Sequence, residues 1–486
     1  MWLRGAEGSR GEGGQLRGRN LVNLEDSYRI GLLFAGIGLL VVLVARLKVN
    51  PFVALLAVSL LVGSGAVALG HLGTGGPDAA TSWGLPGVVK SMQEGLGATL
   101  GGVGAVLGLG AMLGKLLAES GGAAVLAERL QAWFGPSRAP WYVLVLALVI
   151  GLVTWFAVGL LLLLPIVLRL GSGEKRPFLA VAMPLVAGLS VMHALMPPHP
   201  GPVVAIAALH ADTGLVLLFG AVVGIPTALV AGPLYARFLG SRLSVAWPCA
   251  PANPAPIGSN VRNPSLSMTL AAILLPIGLM LLATAAELTL PKVDQIRAIA
   301  VFVGDPKVAL LVSVCFATWV LGTQCGHPRA RLLAFTERSV AEVGMTILIV
   351  GGGGSFAQVL KDGGMATALS RLAGEFHLSP LIYGWILAGF IRAATGSATV
   401  GITTAAGLMT PALAQHPEFS RSQTALVVVA MGSGSAILSH LNDGGFWVVK
   451  ETLGLTLRET FLTWGVCETL IGVVGLLLCL AFFPFV

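Results

Sequence analysis

Apolar runs long enough to cross a lipid bilayer follow one another along nearly the whole chain. They cover residues 30–45, 52–69, 141–168, 215–235, 266–286, 308–321, 381–391 with its continuation, and 463–483. A hydrocarbon core about 30 Å thick requires about 20 apolar residues in helical form. Within it, backbone N–H and C=O groups must find partners inside the protein, which leaves helices or closed barrels. The runs are continuous rather than alternating, so the chain reads as an all-α polytopic membrane protein of about 10–12 crossings with short re-entrant pieces. The balance of residues agrees: 55% are hydrophobic and 10% charged, against roughly 25% charged in soluble domains.

Charge and cysteine content narrow the class further. The net charge of +7 belongs to loops that orient a membrane protein rather than to a nucleic-acid surface. The loop from Arg169 to Lys175 and Arg176 reads as cytoplasmic by that rule. Cys249, Cys315, Cys325, Cys467 and Cys479 are odd in number and lack CxxC spacing, so neither a disulfide framework nor a zinc site is implied. Residues 1–27 are Gly-rich with mixed charge and read as a disordered basic tail. Its arginines suggest a cytoplasmic start, although Arg46 and Lys48 beyond the first span pull the other way. The charged stretch is too long for a signal peptide.

Four places interrupt the apolar helices with polar groups. In His193-Ala-Leu-Met-Pro-Pro-His-Pro-Gly-Pro202, four prolines and two histidines stop any continuous helix, because proline lacks a donor and clashes with the preceding turn. Pro197, Pro198, Pro200 and Gly201 make this a broken-helix motif. The second is Phe390-Ile-Arg-Ala-Ala-Thr-Gly-Ser-Ala-Thr-Val-Gly401, extended by Thr403 and Thr404. The third is Gly432-Ser-Gly-Ser-Ala-Ile-Leu-Ser-His-Leu-Asn-Asp-Gly-Gly-Phe446. The fourth is the pair of glycine runs, 101–114 and 344–354, which serve either close helix packing or helix N-termini that face an anion. Broken helices with polar groups at the break are how secondary transporters build substrate sites.

Arg392 is the foremost binding candidate, since a charge within a membrane segment is costly and marks function by default. Its guanidinium suits a carboxylate, and Ser397, Thr399 and Asn442 offer groups for substrate hydroxyls. The structural alternative is an arginine at the interface or paired with Asp443 or Glu468. His199, His440 and Asp443 are candidates for carrying a proton, as Asp and His do in membrane relays. Structural readings stand beside these too: Asp443 as a helix cap and His193 as a packing histidine.

The chain also repeats itself. Glu119–Leu130 reads ESGGAAVLAERL and Lys361–Leu372 reads KDGGMATALSRL, at an offset of 242 residues. At the same offset Val158-Gly159 meets Val400-Gly401. Two membrane repeats are therefore expected, 28–246 and 266–486, joined by a Pro-, Asn- and Ser-rich linker over 247–265, with inverted topology as the usual transporter arrangement.

These strings resemble the gluconate:proton symporter family, the gluconate permeases of the GntP type. The resemblance rests on Gly110-Ala-Met-Leu-Gly-Lys-Leu-Leu-Ala-Glu-Ser-Gly-Gly122, Ala187–Pro202, Leu378-Ser-Pro380 with Gly396-Ser-Ala-Thr-Val400, and Ser439-His-Leu-Asn-Asp-Gly-Gly-Phe-Trp447. It implies a multi-pass bacterial inner-membrane symporter for sugar acids, coupled to protons, with no enzyme activity, metal or cofactor. Its partners would be a gluconate-like carboxylate, protons and the lipid bilayer. Members take gluconate, related aldonates and ketoaldonates, and in some cases D-serine. The family pattern Phe-Phe-Glu-Val-Gly-Phe is met here by Trp155-Phe-Ala-Val-Gly-Leu160, so Ala157 stands where the family has an acid. That departure keeps open another small carboxylate, or a sodium couple. An intramembrane metalloenzyme lacks a His-Glu-x-x-His face, and a passive channel lacks the charge rings or pore carbonyls expected of it.

Overall fold

The computed structural model describes residues 24–72, 83–171, 177–240, 242–243, 245–248, 261–375 and 378–486. Most of the predicted tail and linker, and Lys175 and Arg176, lie outside them. All regular structure among the described residues is helical. Among the described residues nine helices are long and apolar enough to cross a membrane. A further crossing is made in two pieces, Arg421–Gly434 and Gly444–Leu453, each too short to span alone. Shorter apolar helices form two hairpins, Ala139–Gly151 with Phe156–Gly171 and Pro380–Thr395 with Ala398–Ala414. The run expected over 141–168 is therefore not one span: it turns back at residues 152–155, where Thr154 folds its hydroxyl onto the Ile150 carbonyl at 2.9 Å.

The order of helices recurs at the offset seen in the sequence. Leu85–Glu119, Gly122–Phe134, the first hairpin, Leu179–Leu195, Pro200–Leu209 and Thr213–Gly240 are answered by a second series. That series is Arg329–Asp362, Met365–Glu375, the second hairpin, Arg421–Gly434, Gly444–Leu453 and Leu457–Phe485.

Contacts at the helix ends fix their directions. At one end of the bundle Gly121 lies against Asn263, Gly240 against Pro177, Arg237 over Trp141, and Tyr235 donates to the Leu462 carbonyl. At the other, Arg421 bonds Asp212 and Glu287, Gln415 bonds Ser370 at 3.1 Å, Arg371 bonds Asp26 at 3.0 Å, and Phe419 meets Phe483. Hence Leu179–Leu209 runs from the first end to the second, and 421–453 runs back. The first hairpin enters from the first end and the second hairpin from the second end. The two series are inverted relative to one another.

The two long helices pack antiparallel, with Ser91 donating to Asp362 at 2.6 Å and Lys115 meeting Glu342 at 2.7 Å. The glycine runs lie inside these helices, not at their starts. Backbones meet closely there: a Cβ on Gly354 would sit 2.7 Å from the Gly95 carbonyl oxygen. Close packing, the plainer of their two readings, accounts for Gly114 and for Gly351 to Gly354, whereas Gly101, Gly102, Gly104 and Gly108 face open space.

Candidate functional site

Each broken span and each hairpin turns at mid-bundle, and the breaks meet. The breaks are residues 152–155, 196–199, 396–397 and 435–443. Each is followed by a helix whose first N–H groups have no intrahelical partner, so four positive helix ends begin around one region. Two of these are capped locally: Ser397 accepts from Val400 N, and Asp443 accepts from Gly445 N at 2.8 Å.

Arg392 and Asp443 join two of the breaks. Arg392 Nη2 donates to Asp443 Oδ2 at 2.6 Å, with side chains only 3% and 9% exposed. The same oxygen accepts from the Ser439 hydroxyl and, at 3.4 Å, from Trp464 Nε1. Trp464 Nε1 also reaches Ser439 Oγ at 2.6 Å and its ring packs on Phe156, 4.8 Å between centroids, at the start of the first hairpin's returning helix. Asn442 Nδ2 donates to the carbonyls of Ala393 and Ala394, at 2.9 and 3.2 Å. Those are last-turn carbonyls that a helix leaves unpaired. Gly396 makes the turn with φ +75°, and a Cβ there would lie 2.1 Å from the Asn442 carbonyl oxygen.

The other two breaks meet at the histidines. His199 Nε2 lies 2.7 Å from the Gly151 carbonyl oxygen. A carbonyl only accepts, so that nitrogen carries hydrogen and, in the neutral ring, Nδ1 is the acceptor. His193 Nδ1 lies 3.3 Å from it and donates. His193 is itself within electrostatic reach of Asp443 and Arg392. Glu468, 3% exposed, accepts from the Ser190 hydroxyl and is also in reach of Arg392 and Asp443.

The cluster is polar, buried and incompletely paired. Arg392 Nε and Nη1, Asn442 Oδ1 and the hydroxyls of Thr403, Thr404 and Ser355 are buried with no hydrogen-bond partner. Native interiors rarely leave such groups unpaired, and those that occur call for an explanation. Two adjoining cavities of about 260 Å³ each lie toward the second end, and neither is lined by Arg392, Asp443 or Glu468. One reaches Pro197 and Pro198, and the other is rimmed by Asp212, Glu287 and Arg421.

Of the residues singled out in the sequence, Arg392, Asn442, Asp443 and His199 thus lie in one connected region. Ser397 and Thr399 stand at the first turn of Ala398–Ala414, both half-buried. Pro197, Pro198, Pro200 and Gly201 form the second break, with a cis bond between Pro197 and Pro198. His440 lies apart: its Nδ1 meets the carbonyl of Leu438, 2.9 Å away. Arg392 does pair with Asp443, so the structural reading of that residue holds alongside its free N–H groups. Sequence reasoning missed Ser190 and Trp464 altogether, and treated Glu468 only as a possible partner of Arg392. An acid inside the apolar run 463–483 was the available signal. Among the described residues no group of three metal-ligating side chains converges.

Comparison with known proteins places this geometry. The family model described as GntP family permease matches residues 28–485. The chain is 40% identical to the Gnt-II system L-idonate transporter of Escherichia coli, over 93% of this chain and 98% of that protein. It is 39% identical to a gluconate permease of Pseudomonas aeruginosa, over 91% and 94%, and 32% identical to the D-serine transporter DsdX of Escherichia coli, over 92% and 96%. The crystal structure of the Alcanivorax borkumensis YdaH transporter, described as having an unusual topology, superposes with a TM-score of 0.60. It shares 16% identity and covers 90% of this chain and 98% of that one.

Proposed function

The chain belongs to the GntP permease family, and from that premise we propose that it imports gluconate or a related sugar acid by proton symport across the bacterial inner membrane. The observation that carries the reading is Arg392, which holds Asp443 with one N–H and keeps two buried N–H positions, Nε and Nη1, without a protein partner. Nε and Nη1 lie on opposite edges of the planar guanidinium, so a substrate carboxylate would take one of them, or the Nη1–Nη2 end beside Asp443. Half-helix N-termini at the breaks would add their positive ends. Ser397, Thr399 and Asn442 would meet the hydroxyls, with Asn442 Oδ1 free to accept. His199, His440 and Asp443 are the candidates for the proton, and the next section adds a fourth. The two membrane repeats, 28–246 and 266–486, which contain these inverted series, would rock about the site to expose it alternately.

The direction of insertion follows from charge. Arg138, Arg237, Arg242, Arg262, Arg329 and Arg331 gather at the first end, whereas at the second Lys361, Arg371 and Arg421 stand among the acids Asp26, Asp212, Glu287 and Asp362. Lys and Arg mark the cytoplasmic side, so we assign the first end to the cytoplasm. The opening helix then starts on the opposite side, where Asp26 meets Arg371. This departs from the cytoplasmic start expected from the tail, whose four arginines are matched by four acids and so orient it weakly.

Ala157 favours a second reading within the same class. It begins the returning helix of the first hairpin, next to Phe156 on Trp464. Without the family acid, D-serine or a ketoaldonate becomes the alternative cargo, with sodium as the alternative coupling ion. Competition of labelled gluconate uptake by gluconate, L-idonate and D-serine ranks these. Arg392→Ala tests the main reading: uptake is expected to vanish from a protein that still folds, and wild-type uptake would contradict it.

A further inference from the structure

We propose that Glu468 is the group that takes up the coupled proton, and that substrate at Arg392 drives that uptake by charge. This rests on the symport reading above. Glu468 is the one acid of the cluster without a cation in salt-bridge contact. Asp443 is held by Arg392, Ser439, Trp464 and the Gly445 amide, whereas Glu468 has the single neutral partner Ser190. An ionised carboxylate buried with one hydroxyl is costly, so its charge follows the charges around it.

The groups that face it are few. Its hydrogen-bond partner Ser190 is on Leu179–Leu195, which also carries His193, itself in reach of Arg392 and Asp443. Arg392 is on Pro380–Thr395, and Asp443 precedes Gly444–Leu453. Cys467 adjoins Glu468 on its own helix, with Tyr235 near Cys467. The packed helices Thr213–Leu229 and Arg421–Gly434 contribute no titratable side chain beyond Arg421, which sits at the outer end.

The charges then add up in one way. Arg392 and Asp443 cancel. Ionised Glu468 therefore gives the cluster one net negative charge; a carboxylate added on Arg392 makes it two, and a proton added to Glu468 returns it to one. With Glu468 ionised, the same carboxylate meets an uncompensated negative charge. Substrate and proton therefore favour each other, and by linkage each raises the affinity of the other equally. The proton adds to a Glu468 carboxylate oxygen as an O–H bond, and no bond of the substrate is made or broken.

The test uses the purified full-length protein in weakly buffered detergent solution with a pH-indicator dye. Gluconate addition should draw about one proton from solution per gluconate bound, and on the alkaline side its affinity should fall about tenfold per pH unit. Glu468→Gln should bind gluconate with no proton uptake and an affinity indifferent to pH. Uptake or a pH slope in Glu468→Gln equal to the wild type's would overturn the proposal. Should that variant not fold, Ser190→Ala decides: it should shift the pH at which affinity falls while keeping the slope, and an unmoved profile counts against Glu468. If wild type binds neither gluconate nor L-idonate, the substrate reading fails instead.

Discussion

At the scale of single residues, the account turns on a buried charge with more donors than its protein partners use. Arg392→Lys keeps the charge and loses the planar fork. Charge-assisted hydrogen bonds are worth about 1.5–3 kcal/mol, so gluconate affinity should weaken about tenfold to a hundredfold, as read by titration of the purified protein. Asp443→Asn strips the arginine of its counter-charge. Breaking a buried pair costs about 3–5 kcal/mol, so thermal stability should fall sharply. Arg392→Met combined with Asp443→Leu should recover much of that stability while transport stays absent. Recovery of transport in the double variant would show that the pair serves folding alone. Arg392 and Asp443 were legible in the sequence as charges out of place in apolar surroundings. Their pairing stood only as one structural alternative, with Glu468 as the other partner, because the choice depends on which breaks meet across the bundle. Glu468 was obscured for a related reason: one acid hardly changes the mean character of the run 463–483.

At the scale of elements, breaks made by proline, glycine and serine were readable, and one made of ordinary residues was not. The strings around Pro197, Gly396 and Asn442 announce themselves because their residues disrupt helices or form turns. The first hairpin turns at Leu152, Val153, Thr154 and Trp155, which carry no such mark. Its position is set by tertiary contact, the Gly151 carbonyl on His199 and Phe156 on Trp464. Gly396 tests the junction of the second and third broken strings. A left-handed residue other than glycine costs about 1–2 kcal/mol, and here its Cβ would also strike the Asn442 carbonyl oxygen at 2.1 Å. Gly396→Ala should therefore lower both stability and uptake. Unchanged uptake would mean that the two strings need not touch during the cycle.

At the scale of the molecule, the repeat was visible as strings, and its inversion was expected only as the usual transporter arrangement. Direction depends on counting crossings, and re-entrant hairpins upset the count, since they add apolar length without changing sides. End contacts such as Arg421 with Asp212 and Gly240 with Pro177 settle the directions of the helices. The inferred insertion is checked by single cysteines in a cysteine-free background. In intact cells an impermeant maleimide should label Glu418→Cys and spare Arg138→Cys, and the reverse pattern would invert the assignment. Coupling makes a further demand on the whole protein: one monoanion moving with one proton carries no net charge, so membrane potential alone should not drive accumulation. The central claim, sugar-acid import driven by protons, is tested most directly by gluconate uptake into proteoliposomes under an imposed pH gradient. The account predicts accumulation above the external concentration that collapses with a protonophore. Accumulation indifferent to the protonophore and dependent on sodium, or none from folded protein, would contradict it.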